Sequence, residues 1–354
     1  MARIIGRGHS FDDVLIVPKY NTVLSRKDVN FRTKVTRNYS IEIPVLAADM
    51  DTICESEMAI ALGKLGGLGV IHRFMPIEKQ IAEVKKVKKE KLLCAAAIGI
   101  KDYKERAEEL VKSGLDILVI DIAHGHSKYA GKTLDYLKER YSSNIDIMAG
   151  DIATKEAAEY FLTKGADAIK ICAGSGSLCT TRLITGAGMP QITAIMEVYK
   201  ATKGKIPICT AGGIRYAGDI VKAIGAGANT VMCGFIFSGT DETPGKIIER
   251  DGHEFKLYRG SASYSVSLKN KGKEEDIVSV EGIETLVQCK GPIAPIIKEI
   301  LGGLASGMTY IGAREMKNLV GKADFIEISS LGFEESKPHG KKDKTITNFK
   351  NSIG

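Results

Sequence analysis

The chain has 354 residues, of which 44% are apolar, 38 are glycine and 9 are proline, so it can bury a large core. This composition excludes a disordered or fibrous protein and indicates a soluble globular fold. The formal charge of +7 suits a small phosphate-bearing ligand, and no DNA- or RNA-binding motif predicts a nucleic-acid partner.

Eight short apolar runs recur along the chain and predict eight strands. They span residues 43–48, 67–72, 92–99, 116–123, 145–150, 166–173, 206–213 and 229–235. Apolar residues at helical spacing follow most of them, at 55–65, 76–89, 102–113, 131–141, 155–164, 192–203 and 218–226. Nearly continuous apolar strands that alternate with helices are typical of a parallel α/β sheet, and eight such units predict a closed (β/α)8 TIM barrel.

A doubly wound open sheet is the alternative architecture. It is disfavoured because no G-x-G-x-x-G sequence follows the first predicted strand, where a dinucleotide-binding fold places its phosphate turn. We therefore expect a single barrel domain over residues 1–335 with a mobile flap at about 261–290. A basic flexible tail is expected over residues 336–354.

The seven cysteines form no C-x-x-C pair, which argues against a disulfide framework or a zinc site and favours a reducing compartment. No run of about 18 apolar residues is present, and residues 1–10 lack the apolar core of a signal peptide. We expect a cytoplasmic protein with no membrane partner.

In such a barrel, functional residues lie on the loops that follow the strands. Glycines are frequent after the sixth, seventh and eighth predicted strands, and glycine lets backbone N–H groups approach an anion closely. Ser177, Gly213 and Gly234 are therefore candidates for a phosphate-binding cradle. The alternative is that these glycines only permit tight turns.

Residues 174–182 read Gly-Ser-Gly-Ser-Leu-Cys-Thr-Thr-Arg, and the last five of them combine a thiol, two hydroxyl groups and a guanidinium in a glycine-rich loop. Such a loop is not a packed element in which a structural cysteine would be expected. We interpret Cys179 as a nucleophile, with an inert loop cysteine as the alternative.

This loop resembles the active-site loop of the IMP dehydrogenase and GMP reductase family, and the resemblance covers residues 9 to 330 approximately. Other segments that resemble the family are FDDVLIVPKY (11–20), ADMDT (48–52), DIAHGHS (121–127), AGGIRYAGDI (211–220), GTDETPG (239–245), EGIE (281–284), VQCKG (287–291) and LGGLASGMTYIGA (301–313). The resemblance implies a (β/α)8 barrel, usually a homotetramer. In this family a cysteine attacks C2 of a purine nucleoside monophosphate, and a nicotinamide cofactor exchanges a hydride there.

The resemblance also implies residue roles by position. Cys179 would be the nucleophile, and Thr180 and Glu281 would handle protons. The cofactor contacts would be Asp121, His124 and Gly174, and the carbonyl groups of Gly174, Gly176 and Cys179 would hold a monovalent cation, expected to be K⁺. The substrate contacts would be Met50, Ser177, Gly212, Gly213, Gly234, Phe235, Tyr258, Ser261 and Gln288.

Two features favour the reductase branch, in which GMP is converted to IMP and ammonia with NADPH. The dehydrogenase branch carries an Arg-Tyr pair in its flap, whose arginine activates water, but no arginine occurs between Gly260 and Glu281. The regulatory repeats usually inserted after the second strand are also missing. The amino-acid sequences of the segments DIAHGHS, GGIRYAGD and YRG instead resemble those of bacterial IMP dehydrogenase. Oxidation of IMP to XMP with NAD is therefore the alternative reaction.

Three residues depart from the family pattern: Cys172, Ala211 and Phe235. Ala211 stands where the family has an aspartate that binds the ribose hydroxyl groups, so dGMP joins GMP as a candidate substrate. The alternative is that another residue, such as Asp49 or Asp151, binds these hydroxyl groups instead. Ala211 and Phe235 also leave open that the chain is a non-catalytic nucleotide-binding paralogue. The presence of a nucleophile candidate argues against this alternative, because such a protein needs no nucleophile.

Overall fold

The computed structural model describes residues 1–141, 144–172, 174–271 and 279–338. Its strands are β1 (Val14–Ile16), β2 (Thr33–Lys34), β3 (Ser40–Ile41), β4 (Val45–Ala47), β5 (Leu68–Ile71), β6 (Ala95–Ile98), β7 (Ile117–Ile120), β8 (Asp146–Ile152), β9 (Ala168–Ile171), β10 (Ile208–Ala211), β11 (Thr230–Cys233), β12 (Ile248–Arg250), β13 (His253–Arg259), β14 (Glu284–Gln288) and β15 (Phe325–Glu327). Strands β4 to β11 form one closed parallel barrel, in which β11 returns to pair with β4. This closure confirms the predicted TIM barrel and excludes the open sheet.

The helices are α1 (Ser56–Lys64), α2 (Ile77–Lys89), α3 (Tyr103–Lys112), α4 (Lys128–Tyr141), α5 (Lys155–Thr163), α6 (Thr181–Thr185), α7 (Gln191–Thr202), α8 (Ala217–Ala226), α9 (Tyr264–Lys271), α10 (Ile293–Tyr310) and α11 (Ser330–Glu335). All seven helices predicted from apolar spacing are present. The eighth barrel helix is α10, which was predicted only as part of the family's closing segment. It packs on α8, where the missing side chains of Gly303 and Gly307 let the two helices approach closely.

The barrel strands are apolar because both of their faces are covered. Every residue of β6 and of β7 is buried, with helices outside and the side chains of neighbouring strands inside. Strand β9 is different, because it carries a charged residue, Lys170, between buried isoleucines. A buried lysine in a barrel strand requires partners of opposite charge, and these partners form part of the site described below.

An antiparallel sheet of β12, β13 and β14 is inserted between β11 and α10, and α9 belongs to the same insertion. The predicted flap at 261–290 falls within this insertion. Residues 261–271, which include α9, and residues 279–290, which include β14, are described. Residues 272–278 lie outside the described residues. The mobility of the flap remains a prediction.

The predicted basic tail also falls mostly outside the described residues, since the description ends at Pro338. Separately, none of the helices in the described ranges is long and apolar enough to span a bilayer.

The close approach of β5 to α1 gives a test of barrel packing. A Cβ atom on Gly69 of β5 would lie 2.5 Å from the Cα atom of Ala59 in α1, whereas a Cβ atom on Gly302 of α10 would meet nothing within 4 Å. We predict that Gly69→Ala lowers the free energy of unfolding by about 1–3 kcal/mol through overpacking. The matched Gly302→Ala should raise it by up to about 1 kcal/mol through helix propensity. Urea denaturation followed by circular dichroism measures both, and equal effects of the two variants would contradict the prediction.

Candidate functional site

A cavity of about 950 Å³ opens at the carboxyl ends of the barrel strands. Loops that follow seven of the eight barrel strands contribute to its lining, all except the loop after β6. The N-terminal segment and the insertion complete the wall, through residues 10–12, 258, 260–262 and 281. This is the end of a TIM barrel at which functional groups collect.

Most of the residues predicted to form a site line this cavity. They are Met50, Asp121, His124, Gly174, Gly176, Ser177, Cys179, Gly212, Gly213, Gly234, Phe235, Tyr258, Ser261 and Glu281. Thr180 and Gln288 do not line it. Most of the residues predicted to form a site therefore line one cavity, and Thr180 and Gln288 lie outside its lining.

Backbone contacts from the insertion hold the loop that carries Cys179. Cys179 forms an antiparallel bridge with Gly282, and the N–H group of Ile283 donates to the carbonyl oxygen of Leu178 at 3.0 Å. The N–H group of Thr180 donates to the carbonyl oxygen of Glu281 at 2.9 Å. These contacts bring Glu281 beside the nucleophile candidate although the two residues are far apart in sequence.

Thr180, which the resemblance implies handles protons together with Glu281, is not the threonine that contacts the thiol. The thiol of Cys179 contacts the hydroxyl group of Thr181 instead, with an Sγ to Oγ1 distance of 3.1 Å, and Thr181 lines the cavity. Thr180 is the N-cap residue of α6, with φ −109° and ψ 8°, and Thr181 is the first residue of that helix, so the chain turns between Cys179 and Thr181. Thr180 contributes its backbone to the contact with Glu281.

Gln288 is also misplaced by the sequence prediction. It lies exposed at the far end of β14, opposite Phe255, whereas Glu284 at the near end pairs with Arg259. At about 3.3 Å per residue, four residues of strand separate Gln288 from Glu284 by about 13 Å.

The loops after β9 and β10 approach each other closely where the phosphate cradle was predicted. Gly212 and Gly213 have φ angles of +89° and +79°, in the left-handed region that favours glycine. A Cβ atom on Gly212 would lie 2.6 Å from the Oγ atom of Ser175 and 3.0 Å from the backbone nitrogen of Gly176. A side chain at this position would therefore displace the Cys179 loop.

A second wall of the cavity joins Ser177 to the insertion. The hydroxyl groups of Ser177 and Tyr258 are 3.0 Å apart, and burial raises the pKa of Tyr258. A Cβ atom on Gly234 would lie 3.1 Å from both the Tyr258 hydroxyl oxygen and the Met50 sulfur atom. Phe235 lies at the edge of this wall, with its ring centroid 6.2 Å from that of Tyr258.

The charged floor of the cavity was not predicted from the sequence. The Nζ atom of Lys170 lies 2.9 Å from Asp49 Oδ2, 2.8 Å from Asp121 Oδ1 and 3.3 Å from Asp151 Oδ1. Arg73 contacts Asp121 through its Nε atom at 3.3 Å. We call these five residues, Lys170 and its four neighbours, the Lys170 cluster. The lysine within the apolar run 166–173, together with aspartates after three strands, was the available signal.

Burial and neighbouring charges shift the pKa values within the Lys170 cluster. Burial raises the pKa of Asp151 to about 8 despite the nearby Lys170, and the carboxylates of Asp121 and Asp49 add to the increase. Asp121 is also buried, but Lys170 and Arg73 outweigh burial and lower its pKa. The pKa of Asp49 is raised by burial and by Asp121. The carboxyl group of Asp151 is therefore largely protonated at neutral pH in the ligand-free protein.

The burial of Lys170 predicts a large effect of its removal. We predict that Lys170→Met destabilises the protein by about 3–5 kcal/mol, because carboxylates would remain buried without their countercharge. The loss should increase as the pH rises and more of these carboxyl groups ionise. Lys112→Met, which breaks exposed ion pairs with Glu108 and Glu109, is the control and should cost about 0–1 kcal/mol. Urea denaturation at pH 6 and pH 9 tests the prediction. Similar losses of unfolding free energy in the two variants would refute it.

Comparison with known proteins identifies relatives over most of the chain. The family model described as "IMP dehydrogenase / GMP reductase domain" matches residues 8–339. The inosine-5'-monophosphate dehydrogenase of Borreliella burgdorferi is 40% identical, with 93% of this chain and 96% of that protein covered. The GMP reductase of Leishmania donovani is 32% identical, with coverages of 94% and 96%.

A solved structure has the same fold and similar length. It is a cysteine-to-alanine variant of GMP reductase from Trypanosoma brucei in complex with guanosine 5'-monophosphate. Its TM-score is 0.90 at 31% sequence identity, and the match covers 95% of this chain and 98% of that one. The family model, the relatives and this structure agree with the cysteine-bearing cavity of the barrel, and the chain belongs to the IMP dehydrogenase / GMP reductase family of oxidoreductases.

Proposed function

We propose that this protein reduces GMP to IMP and ammonia, with NADPH as the hydride donor. The balanced reaction is GMP + NADPH + H⁺ → IMP + NADP⁺ + NH3. The observation that carries the proposal is the arrangement around Cys179. The Thr181 hydroxyl group contacts the thiol, Glu281 lines the same cavity and accepts a backbone hydrogen bond from the neighbouring Thr180, and the arginines of the described cavity wall are engaged by protein partners.

In the proposed mechanism the Cys179 thiolate adds to C2 of the purine and forms a tetrahedral adduct. The C2 amino group takes up a proton and leaves as ammonia, which gives a thioimidate. Thr181 and Glu281 are the groups proposed to move protons in this step. Transfer of a hydride to C2 and release of the thiolate then give IMP.

The engaged arginines argue against the dehydrogenase reaction, in which a base must activate water to hydrolyse the covalent intermediate. In the described part of the cavity wall, Arg73 is bound to Asp121, Arg215 to Asp12 and Arg182 to the carbonyl group of Met189. Arg259, just before the flap, holds Asp51 with its Nε atom 3.0 Å from each carboxylate oxygen.

Hydrogen bonds to aspartates raise the pKa values of two of these guanidinium groups, those of Arg215 and Arg259. A guanidinium group with a raised pKa is less often in the deprotonated form that could accept a proton from water. We therefore favour the reductase. IMP dehydrogenase remains the second candidate function, because relatives with that name reach 40% identity.

The cavity fits a purine nucleotide together with the nicotinamide half of a dinucleotide. Its volume of about 950 Å³ lies near the upper end of the range for ligand sites. The buried Asp151 Oδ1 atom accepts no hydrogen bond within the described residues, which indicates a polar ligand group nearby. Asp121, His124 and Gly174 are proposed to hold the nicotinamide end, and the cofactor supplies the hydride. NAD is the alternative cofactor.

We also propose K⁺ as a bound monovalent cation, held by the carbonyl groups of Gly174, Gly176 and Cys179. Backbone carbonyl oxygens are suitable ligands for such an ion. The Gly176 carbonyl oxygen accepts one hydrogen bond, from the Cys179 N–H group at 3.1 Å, and retains a second lone pair. A homotetramer and a cytoplasmic location stay predictions.

The proposed substrate includes dGMP. Ala211 lines the cavity beside Gly212, and its side chain has no group that could bind a ribose hydroxyl. The Lys170 cluster engages Asp49, the aspartate after β4 that could otherwise have replaced that group. A site without a hydroxyl partner discriminates weakly against the deoxy compound, because nothing buried is left unpaired.

A cysteine variant tests the covalent step. We predict that Cys179→Ala loses turnover by roughly a thousandfold or more, as expected for removal of a catalytic nucleophile. GMP binding should persist, because the phosphate cradle is built largely from other loops. Cys289→Ala, a partly buried cysteine outside the cavity, is the matched control and should retain turnover. Absorbance at the nicotinamide band measures the rate and calorimetry measures binding. A Cys179→Ala rate within about tenfold of the parent would reject the mechanism.

A substrate panel tests the direction of the reaction and the sugar. We predict multiple turnovers with GMP plus NADPH, a single turnover at most with IMP plus NAD, and kcat/KM values for GMP and dGMP within about a hundredfold of each other. Glu281→Gln should slow ammonia release because it removes a proton-transfer group. Rapid multiple turnover of IMP without reduction of GMP would establish the dehydrogenase instead. A GMP preference above a hundredfold would remove dGMP from the proposal.

A further inference from the structure

The Lys170 cluster has an unbalanced number of charged groups. Three carboxyl groups, on Asp49, Asp121 and Asp151, face two permanent cations, Lys170 and Arg73. The Lys170 and Asp49 side chains are only 3% and 7% exposed, so water neutralises little of this charge. Buried charges that lack a partner are costly, and the cluster therefore has to bind either a proton or a ligand cation.

Asp151 is the least well compensated of the three. Lys170 donates hydrogen bonds to Asp49 at 2.9 and 3.2 Å and to Asp121 at 2.8 Å. Its contact with Asp151 is longer, at 3.3 Å, and the Asp151 Oδ1 atom accepts no hydrogen bond within the described residues. All of these groups line the cavity that contains Cys179. Asp151 therefore depends on one long contact with Lys170, which makes it the most weakly compensated carboxyl group of the cluster.

We propose that the Lys170 cluster selects the oxidised form of the nicotinamide cofactor, with Asp151 as the residue that determines this preference. The inference rests on the proposed use of a nicotinamide cofactor and holds for either direction of the reaction. Among the groups that the reaction brings into the cavity, the pyridinium ring is the one with a positive charge. The reduced ring is neutral. The phosphate groups are anionic and are repelled by the floor, so they favour the glycine-rich walls.

The protonation of Asp151 links this selection to pH. In the ligand-free protein burial raises the pKa of Asp151 to about 8, so its proton neutralises the cluster at pH 7. A pyridinium ring nearby stabilises the carboxylate, lowers that pKa and causes release of the proton to solvent. No electrons move in this step. The affinity for the oxidised cofactor should therefore rise with pH up to about 8 and then level off, whereas the reduced cofactor should show no such change.

Other titratable groups face Asp151 and have to be separated from it. Asp49 follows β4, Asp121 follows β7 and Lys170 lies in β9, while burial and Asp151 raise the pKa of Cys172 and keep its thiol neutral. Two exposed histidines on the loop after β7, His124 and His126, also line the cavity. An Asp151 variant that retains both histidines separates the contribution of Asp151 from theirs.

The experiment measures cofactor binding and proton release by calorimetry on the full chain. NADP⁺ is titrated in the presence of GMP, and NADPH in the presence of IMP, two combinations that cannot turn over in the proposed reaction. Measurements at pH 7 in phosphate and in Tris give the number of protons released. We expect NADP⁺ to release close to one proton and NADPH to release none. NAD⁺ and NADH are tested in parallel as the alternative pair.

Variants assign the effect to Asp151. At pH 8.5, Asp151→Asn should weaken NADP⁺ binding about tenfold or more and NADPH binding far less, as expected for loss of one nearby charge. It should also abolish the release of the proton at pH 7. Asp135→Asn makes the same change on the exposed face of α4, where Asp135 pairs with Lys164, and should change neither quantity. The measurement on the unmodified protein stands even if Asp151→Asn does not fold.

The outcomes distinguish this inference from the proposed function. Equal proton release for the oxidised and reduced cofactors, or equal weakening of both by Asp151→Asn, overturns the inference even when GMP is reduced normally. Selective binding of the oxidised cofactor without turnover of GMP or IMP supports the inference and rejects the proposed function. Failure of all four cofactors to bind overturns both.

Discussion

The backbone bridge between Cys179 and Gly282 is the interaction on which the rest of the site depends. The barrel supplies the Cys179 loop, but a glycine-rich loop has many conformations and would not by itself hold a thiol in one place. The bridge and its flanking hydrogen bonds order the loop. They also bring Glu281 to the thiol, so one contact both orders the nucleophile and supplies its neighbour. Tyr258, on β13 of the same insertion, extends the support to Ser177.

The two ends of the cavity have opposite electrostatic character. The walls formed after β9 and β10 are rich in backbone N–H groups and close-approaching glycines, which suit an anion. The floor holds three carboxyl groups around one lysine. A ligand with phosphate at one end and a donor-rich or cationic group at the other is therefore oriented before any specific contact is made. This polarity arises from the positions of strand ends in a closed barrel, since Asp49 and Asp121 follow β4 and β7 and Asp151 lies at the carboxyl end of β8.

The barrel and most of the cavity could be predicted from the sequence, because both follow from short-range patterns. Apolar runs such as 92–99 and 116–123 form buried strands, and the carboxyl ends of parallel strands must meet at one end of a barrel. The errors concern features that depend on local backbone direction or on register. Which of Thr180 and Thr181 faces the sulfur atom depends on dihedral angles at one turn, and the place of Gln288 depends on how β14 pairs with β13. The partners of Lys170 come from strands far apart in the chain, so no local pattern reveals them.

The insertion between β11 and α10 has a consequence for the order of events during folding. Cys179 and Glu281 lie about a hundred residues apart, and contacts between residues that are far apart in sequence form late, because closing a long loop costs conformational entropy. A nascent chain that has completed β9 and its loop exposes the thiol before the partner strand has been synthesised. The cavity acquires its proton-transfer group only when the insertion docks. A partly folded chain thus carries the cysteine without the groups that surround it in the finished site, and docking of the insertion marks the completion of that site.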